Sequence, residues 1–144
     1  MSKALDPGAW AESQSRAWMN NESGRIAGFA FHRYPDAKAA RGSLAAQPAD
    51  FLLSSKQIIY HLETKETQQV RRLPKSKIRQ YGQLKKWWWA NIQPRVVIYR
   101  SECNDWVWLG PEQLFEFEDC PASFPLFDRP TFPTCTSLME SLFS

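Results

Sequence analysis

Asp50, Glu63 and Lys65 are the residues of this chain whose types and spacing point to chemistry. Phe51-Leu52-Leu53 and Ile58-Ile59-Tyr60-His61-Leu62 are apolar runs joined by Ser54-Ser55-Lys56-Gln57, the pattern of a β-hairpin with a loop of about four residues. If the turn centres on Lys56-Gln57, residues 50 and 63 are equidistant from it and Asp50 faces Glu63. Directly opposed side chains have Cβ atoms about 4.5–5.5 Å apart, so the two carboxylates repel. A divalent cation between them removes that repulsion, and Mg²⁺ prefers carboxylate oxygens and water. Alternation along the strand puts His61, Glu63 and Lys65 on one face and Tyr60, Leu62 and Thr64 on the other, toward a core. A metal held by Asp50, Glu63 and the backbone carbonyl of Thr64 can polarise a phosphate and acidify a bound water. Lys65 can orient that water or stabilise charge in the transition state.

Asp followed by Glu-x-Lys on a hairpin resembles the PD-(D/E)xK pattern of restriction-type nucleases and resolvases. The literal Pro35-Asp36 is a decoy, 27 residues before Glu63 with no single hairpin to join them, and Asp36 reads as a turn residue. The stretch Glu63-Thr64-Lys65-Glu66-Thr67 with Leu73-Pro74 downstream resembles the RecU-type Holliday-junction resolvases. Gly8-Ala9-Trp10-Ala11-Glu12 matches that family's early Gly-x-x-x-Glu, and Arg33-Tyr34-Pro35 its basic residue and Pro. The resemblance spans roughly residues 8 to 100. It implies metal binding by Asp50 and Glu63, catalysis by Lys65, a supporting acid at Glu12, and a Gln on the following helix. Gln83 is taken for that Gln, with Gln80 as its competitor. Pro35 to Asp50 is shorter than the segment that forms a junction-inserting stalk in RecU. The compact size also resembles bacteriophage junction-resolving nucleases with Glu-Thr-Lys at this place.

Charge is distributed unevenly around these residues. Lys65 to Arg100 carries ten basic residues and one acid, Glu66, whereas Ser101 onward carries eight acids and one base, Arg129. The basic stretch attracts polyanions, and Arg71, Arg72, Lys75, Lys77 and Arg79, with Lys38 and Arg41 upstream, suit phosphate contacts. Three widely spaced cysteines, Cys103, Cys120 and Cys135, support neither a disulfide framework nor a zinc site. No run approaches the roughly 18 apolar residues of a membrane helix, and Met1 to Gly8 lacks a signal peptide's pattern, so a cytoplasmic protein is expected.

The elements that must position the site follow from periodicity. Ala9 to Asn20 reads as a helix with Trp10, Ala17 and Trp18 inward, capped by Asp6 with Pro7 first; Ile26 to Tyr34 reads as a strand. Ile78, Tyr81, Leu84, Lys85 and Trp88 fall at helical spacing, and Pro94 ends that segment. Arg95 to Arg100 and Trp106 to Leu109 read as strands. Trp87 and Trp89 are expected to pack on a neighbouring element or a second subunit, with base stacking as the alternative. Gln113 to Phe117 faintly resembles a sliding-clamp peptide but reads as core packing. Residues 1–119 are expected to form one domain and 120–144 a Pro-rich irregular tail packed on it.

The expected fold is α/β, a restriction-endonuclease-like core with a mixed central sheet flanked by helices. The expected activity is Mg²⁺-dependent cleavage of branched DNA, with Mn²⁺ able to substitute, by a homodimer in a bacterial or bacteriophage-infected cell. The alternatives are a restriction-like or repair nuclease acting on unbranched DNA, and a non-catalytic DNA-binding or partner-binding protein.

Overall fold

In the computed structural model, which describes residues 7–35, 47–115 and 122–144, helix α1 (Pro7–Glu22) leads into the strands β1 (Ala30–Arg33), β2 (Phe51–Ser55), β3 (Ile58–Thr67) and β4 (Arg72–Pro74). A 3₁₀ turn (Lys75–Lys77) and helix α2 (Tyr81–Trp89) follow, then β5 (Gln93–Arg100), β6 (Asp105–Leu109), α3 (Pro111–Phe115), β7 (Ser123–Pro125) and α4 (Cys135–Phe143). The main sheet has the order β1-β2-β3-β5-β6. β3 and β5 run parallel and every other neighbouring pair is antiparallel. β4 and β7 form a separate two-stranded ribbon. This is the expected mixed sheet flanked by helices.

Both faces of the sheet are covered, and each face has its own core. On one, Phe51, Leu53, Tyr60, Leu62, Val97 and Trp106 meet Ala11, Trp18 and Met19 of α1 and Leu138, Met139 and Phe143 of α4. On the other, Val96, Ile98, Val107 and Leu109 meet Leu84 of α2, Leu114 and Phe115 of α3, and Leu73, Phe124 and Leu126 around the ribbon. β3 supplies apolar side chains to the first core only. On its second face it presents His61 and Glu63, both 1% exposed.

Several expectations change. The inward stripe of α1 is Ala11, Ser15, Trp18 and Met19, at helical spacing, while Ala17 is exposed and Trp10 packs at the rim against Tyr99 and Trp106. Pro94 lies inside β5, not before it. It pairs with His61 on the β3 side, where β6 has not yet begun, so its missing N–H costs no second ladder bond. Leu73-Pro74 belongs to the ribbon and does not simply break the chain. Within the expected irregular tail, where Ser137 to Phe143 reads as one short amphipathic turn, the structure has β7 and the longer helix α4. Helix α4 starts with a capping box between Thr134 and Ser137, and its buried residues belong to the main core. Cys103 and Cys135 are free thiols, and burial raises the Cys135 thiol to about 11. Asp6, Asp36 and Cys120 lie outside the described residues.

The β2–β3 pairing runs from Phe51↔Leu62 to Ser55↔Ile58, so the hairpin centres on Lys56-Gln57 as expected. Its loop is two residues long, not four, because Ser54 and Ser55 pair and the buried Ser55 donates to the Phe143 carbonyl. Lys56 and Gln57 both take positive φ, 52° and 68°, the backbone of a type I′ turn. A side chain in that region costs about 1 kcal/mol that glycine avoids. Gln57→Gly is therefore expected to raise the thermal midpoint by a few degrees, and an unchanged or lower midpoint in calorimetry would contradict the strained-turn account.

Candidate active site

Where β2 stops, the Asp50 side chain takes over its pairing role. Asp50 Oδ2 accepts the backbone N–H of Thr64 at 2.9 Å, and the Asp50 carbonyl accepts the Tyr34 N–H at 2.9 Å. The carboxylate is thus held between the ends of β1 and β3. On the other face of β3, the Thr64 hydroxyl hydrogen-bonds Ser15 of α1 at 2.9 Å, both groups being buried. That bond pins α1 one turn after Glu12, which places Glu12 at the rim of the same cleft. Arg33, at the end of β1, donates to Glu12 Oε1 at 3.0 Å.

Glu63, two residues after His61 on β3, is almost fully enclosed. Lys65 Nζ lies 3.2 Å from its Oε1, while its buried Oε2 meets no N–H or hydroxyl donor and is left to the proton shared with the Asp50 carboxyl. Burial chiefly, and then the charge of Asp50, push the Glu63 carboxyl well above the usual range against the pull of Lys65. Burial also raises Asp50, and the Thr64 N–H offsets part of that rise. His61 is lowered to about 4 by burial and is neutral at physiological pH. Its Nε2 meets the Tyr34 hydroxyl at 2.9 Å and its ring packs edge-on against Trp87. It is a packed strand histidine behind the carboxylates and does not line the cleft.

The cleft has a volume of about 490 Å³. Asp50, Glu63, Thr64, Lys65 and Glu66 of the hairpin form its floor, Gly8 and Glu12 of α1 line one side, and Ser76, Lys77, Arg79 and Gln80 around the 3₁₀ turn line another. Gln80 lines it and Gln83 does not, because the 3₁₀ turn delays α2 until Tyr81. Gln80 Oε1 is a second buried acceptor that no N–H or hydroxyl reaches. Two such oxygens in one cleft, each costing about 1–3 kcal/mol if nothing donates to it, mark a place shaped for a positive or proton-donating species.

The expected phosphate-binding residues divide. Lys77 and Arg79 line the cleft and are exposed. Arg72 is tied to Ser123 by two bonds, at 2.7 and 3.1 Å. Lys75 sits over the Tyr81 ring at 4.4 Å and Arg71 over the Phe127 ring at 4.9 Å. Lys38 and Arg41 lie outside the described residues. Arg95 and Arg100, within the basic stretch, are structural: Arg95 is stacked on Tyr60 and Trp108, and Arg100 is paired with Asp105. Ser15, Arg33 and Tyr34 position the site and were not assigned from sequence. Only Arg33 and Tyr34 carried any signal, as part of the Arg-Tyr-Pro resemblance.

No protein-family profile matches this chain, and no curated protein matches it. Among solved structures it is similar to Hjc of Archaeoglobus fulgidus, described as a Holliday junction resolvase from an archaeal hyperthermophile. The two share 15% identity over 81% of this chain and 88% of that one, with a TM-score of 0.49.

A buried glutamate that keeps its proton more tightly when folded makes stability fall as pH rises. Between the ordinary value of 4.5 and the raised one, the unfolded chain has released a proton that the folded chain retains. Glu63→Gln removes this cost, and its amide can donate to Asp50. The variant is expected to be about 1–3 kcal/mol more stable at pH 7–8, with the gain shrinking toward pH 4. A less stable variant at neutral pH would mean that the carboxylate is compensated by contacts within the chain.

Proposed function

We propose that this protein is a Mg²⁺-dependent endonuclease that cuts branched DNA, four-way junctions in particular, as a homodimer. The observation that carries the reading is the Asp50–Glu63 carboxyl pair, with Glu63 enclosed and Lys65 adjacent, in a cleft also lined by Lys77 and Arg79. Structural carboxylates are normally paired or solvated, and here evident stability has been given up at one spot. The hairpin arrangement of these three residues also supports the PD-(D/E)xK resemblance.

The donor set fits a hard divalent cation. Asp50, Glu63 and the Thr64 carbonyl would hold it, with water and phosphate oxygens completing the shell. Among the described residues no three acidic, His or Cys side chains converge as a ready cluster, and Glu12 is engaged by Arg33. When bound, Mg²⁺ supplies Lewis-acid polarisation of the scissile phosphate and a more acidic water. Lys77 and Arg79 hold the flanking phosphates, and the Gln80 carbonyl orients the attacking water by accepting a hydrogen bond from it. Lys65 turns its ammonium from Glu63 toward the charge that grows on the non-bridging oxygens. Phosphate contacts read shape and not base order, which suits a branch-selective enzyme. A two-fold dimer matches the two-fold centre of a four-way junction.

The test is labelled four-way junction, linear duplex and single strand incubated with Mg²⁺, Mn²⁺ or EDTA. Cleavage of the junction by paired nicks, supported by either metal and stopped by EDTA, is expected. Asp50→Asn and Lys65→Ala should remove it while DNA binding and the thermal midpoint persist. Full activity in Asp50→Asn would refute the site, and equal cutting of junction and duplex would leave only the general nuclease. Replacing Lys77 and Arg79 with Gln should flatten the slope of log affinity against log salt by up to about 1.8, at roughly 0.9 per contact. An unchanged slope would move the DNA-binding face elsewhere.

A further inference from the structure

The ribbon leading into the cleft carries an aromatic that no core uses. Phe127 is 54% exposed and Val70 is 41% exposed, although Leu73, Phe124 and Leu126 beside them are fully buried. The Leu126 N–H donates to the Arg71 carbonyl at 2.7 Å, which stitches the two segments together and brings the Arg71 guanidinium over the Phe127 ring. The ridge is rigidly tied to the sheet. Buried Arg100 grips Asp105 through two bonds, at 2.8 and 2.7 Å, and donates to the Val70 carbonyl at 2.6 Å. Arg71 is six residues from Lys65, so even a fully extended chain leaves it within about 20 Å of the cleft floor.

We propose that Phe127, on the ring face that Arg71 does not cover, is a stacking platform for an unpaired base of the DNA whose phosphate occupies the cleft, with Arg71 on the other face taking a neighbouring phosphate. The inference rests on the nuclease reading and adds to it a contact that senses unpaired bases. Charge selects the occupant. In the sequence no acid lies between Glu66 and Glu102, and Arg71, Lys75, Lys77 and Arg79 follow one another toward the cleft; Asp128 and Arg129, next in sequence to Phe127, offset one another. A polyanion that also offers flat apolar surface is a nucleic acid with bases out of the helix. A paired duplex satisfies the basic residues but has no ring to lay on Phe127, whereas an unpaired base gains stacking energy from any aromatic face. One strand advances about 3.4 Å per nucleotide, so the stacked base lies within roughly six nucleotides of the cut.

The probes are a fully paired duplex and the same duplex with an unpaired 2-aminopurine bulge, bound with Ca²⁺ in place of Mg²⁺. The wild type should quench 2-aminopurine fluorescence. Phe127→Ala should abolish the quench and weaken bulged DNA about ten-fold, the lower part of the range for one stacked base, while paired duplex changes less than about two-fold. Phe127→Tyr should restore both, which separates stacking from misfolding. Equal loss on both DNAs, no quench by the wild type, or a salt slope lowered by about one unit in Phe127→Ala would overturn the platform, the last showing that Phe127 only holds Arg71. If the wild type binds neither DNA, the nuclease reading falls with it. If it binds and cuts but Phe127→Ala is indistinguishable, the platform alone falls.

Discussion

One backbone N–H, that of Thr64, organises the cleft. Ordinarily it would continue the ladder to β2, but β2 ends at Phe51 and the Asp50 carboxylate accepts the bond instead. Because a side chain replaces backbone, the strands can part at this point without leaving the donor unsatisfied. That parting opens the sheet end where Glu63 and Lys65 emerge. The same residue's hydroxyl fastens α1 from the opposite face. Asp50, Glu63 and Glu12 therefore stand in fixed relation to one peptide unit, and any shift in it would move all three acids.

Around that unit the molecule separates stability from chemistry by sheet face. The α1/α4 face is a continuous apolar core with tilted and edge-on aromatics. The opposite face is apolar over β5 and β6 but polar over β3, where His61 and Glu63 replace the aliphatic residues a buried parallel strand usually carries. The buried imidazole of His61, held neutral, lies behind the enclosed Glu63 carboxyl, and the low dielectric there strengthens the charge interactions that Glu63 makes.

How much of this was legible in the sequence depended on the range of the interactions. The hairpin register could be read because it is local: equidistance from Lys56-Gln57 places Asp50 against Glu63, whatever the rest of the chain does. The face assignment of residues 60 to 65 followed from alternation alone. What escaped was decided by partners far away in the chain. Ser54 and Ser55 look like loop residues, and only the Phe143 carbonyl explains a buried serine there. Gln83 was ranked above Gln80, the reverse of their places at the cleft, because the 3₁₀ turn that delays α2 is anchored by the distant bond from Lys75 N–H to the Ala122 carbonyl. Four prolines, Pro121, Pro125, Pro130 and Pro133, made the last segment read as irregular. β7 is only three residues long, and the α4 cap uses Ser137 at a position where Glu or Gln is the familiar signal. The basic stretch was informative as a whole and misleading residue by residue, since Arg72, Arg95 and Arg100 serve the fold.

The anchoring of one cleft wall by the β4–β7 ribbon has a consequence for how the protein comes into being. Arg72 to Pro74 waits for Ser123 to Pro125, some fifty residues later in synthesis. At about 5–20 residues per second, a ribosome takes roughly 3–10 s to cover that distance. During that interval the two acids and Lys65 already exist on a hairpin that closes locally, but the wall that presents Lys77, Arg79 and Gln80 has no second strand to lean on. The cleft thus takes its final shape only after the second strand of the ribbon has been made, later than the hairpin that carries its floor.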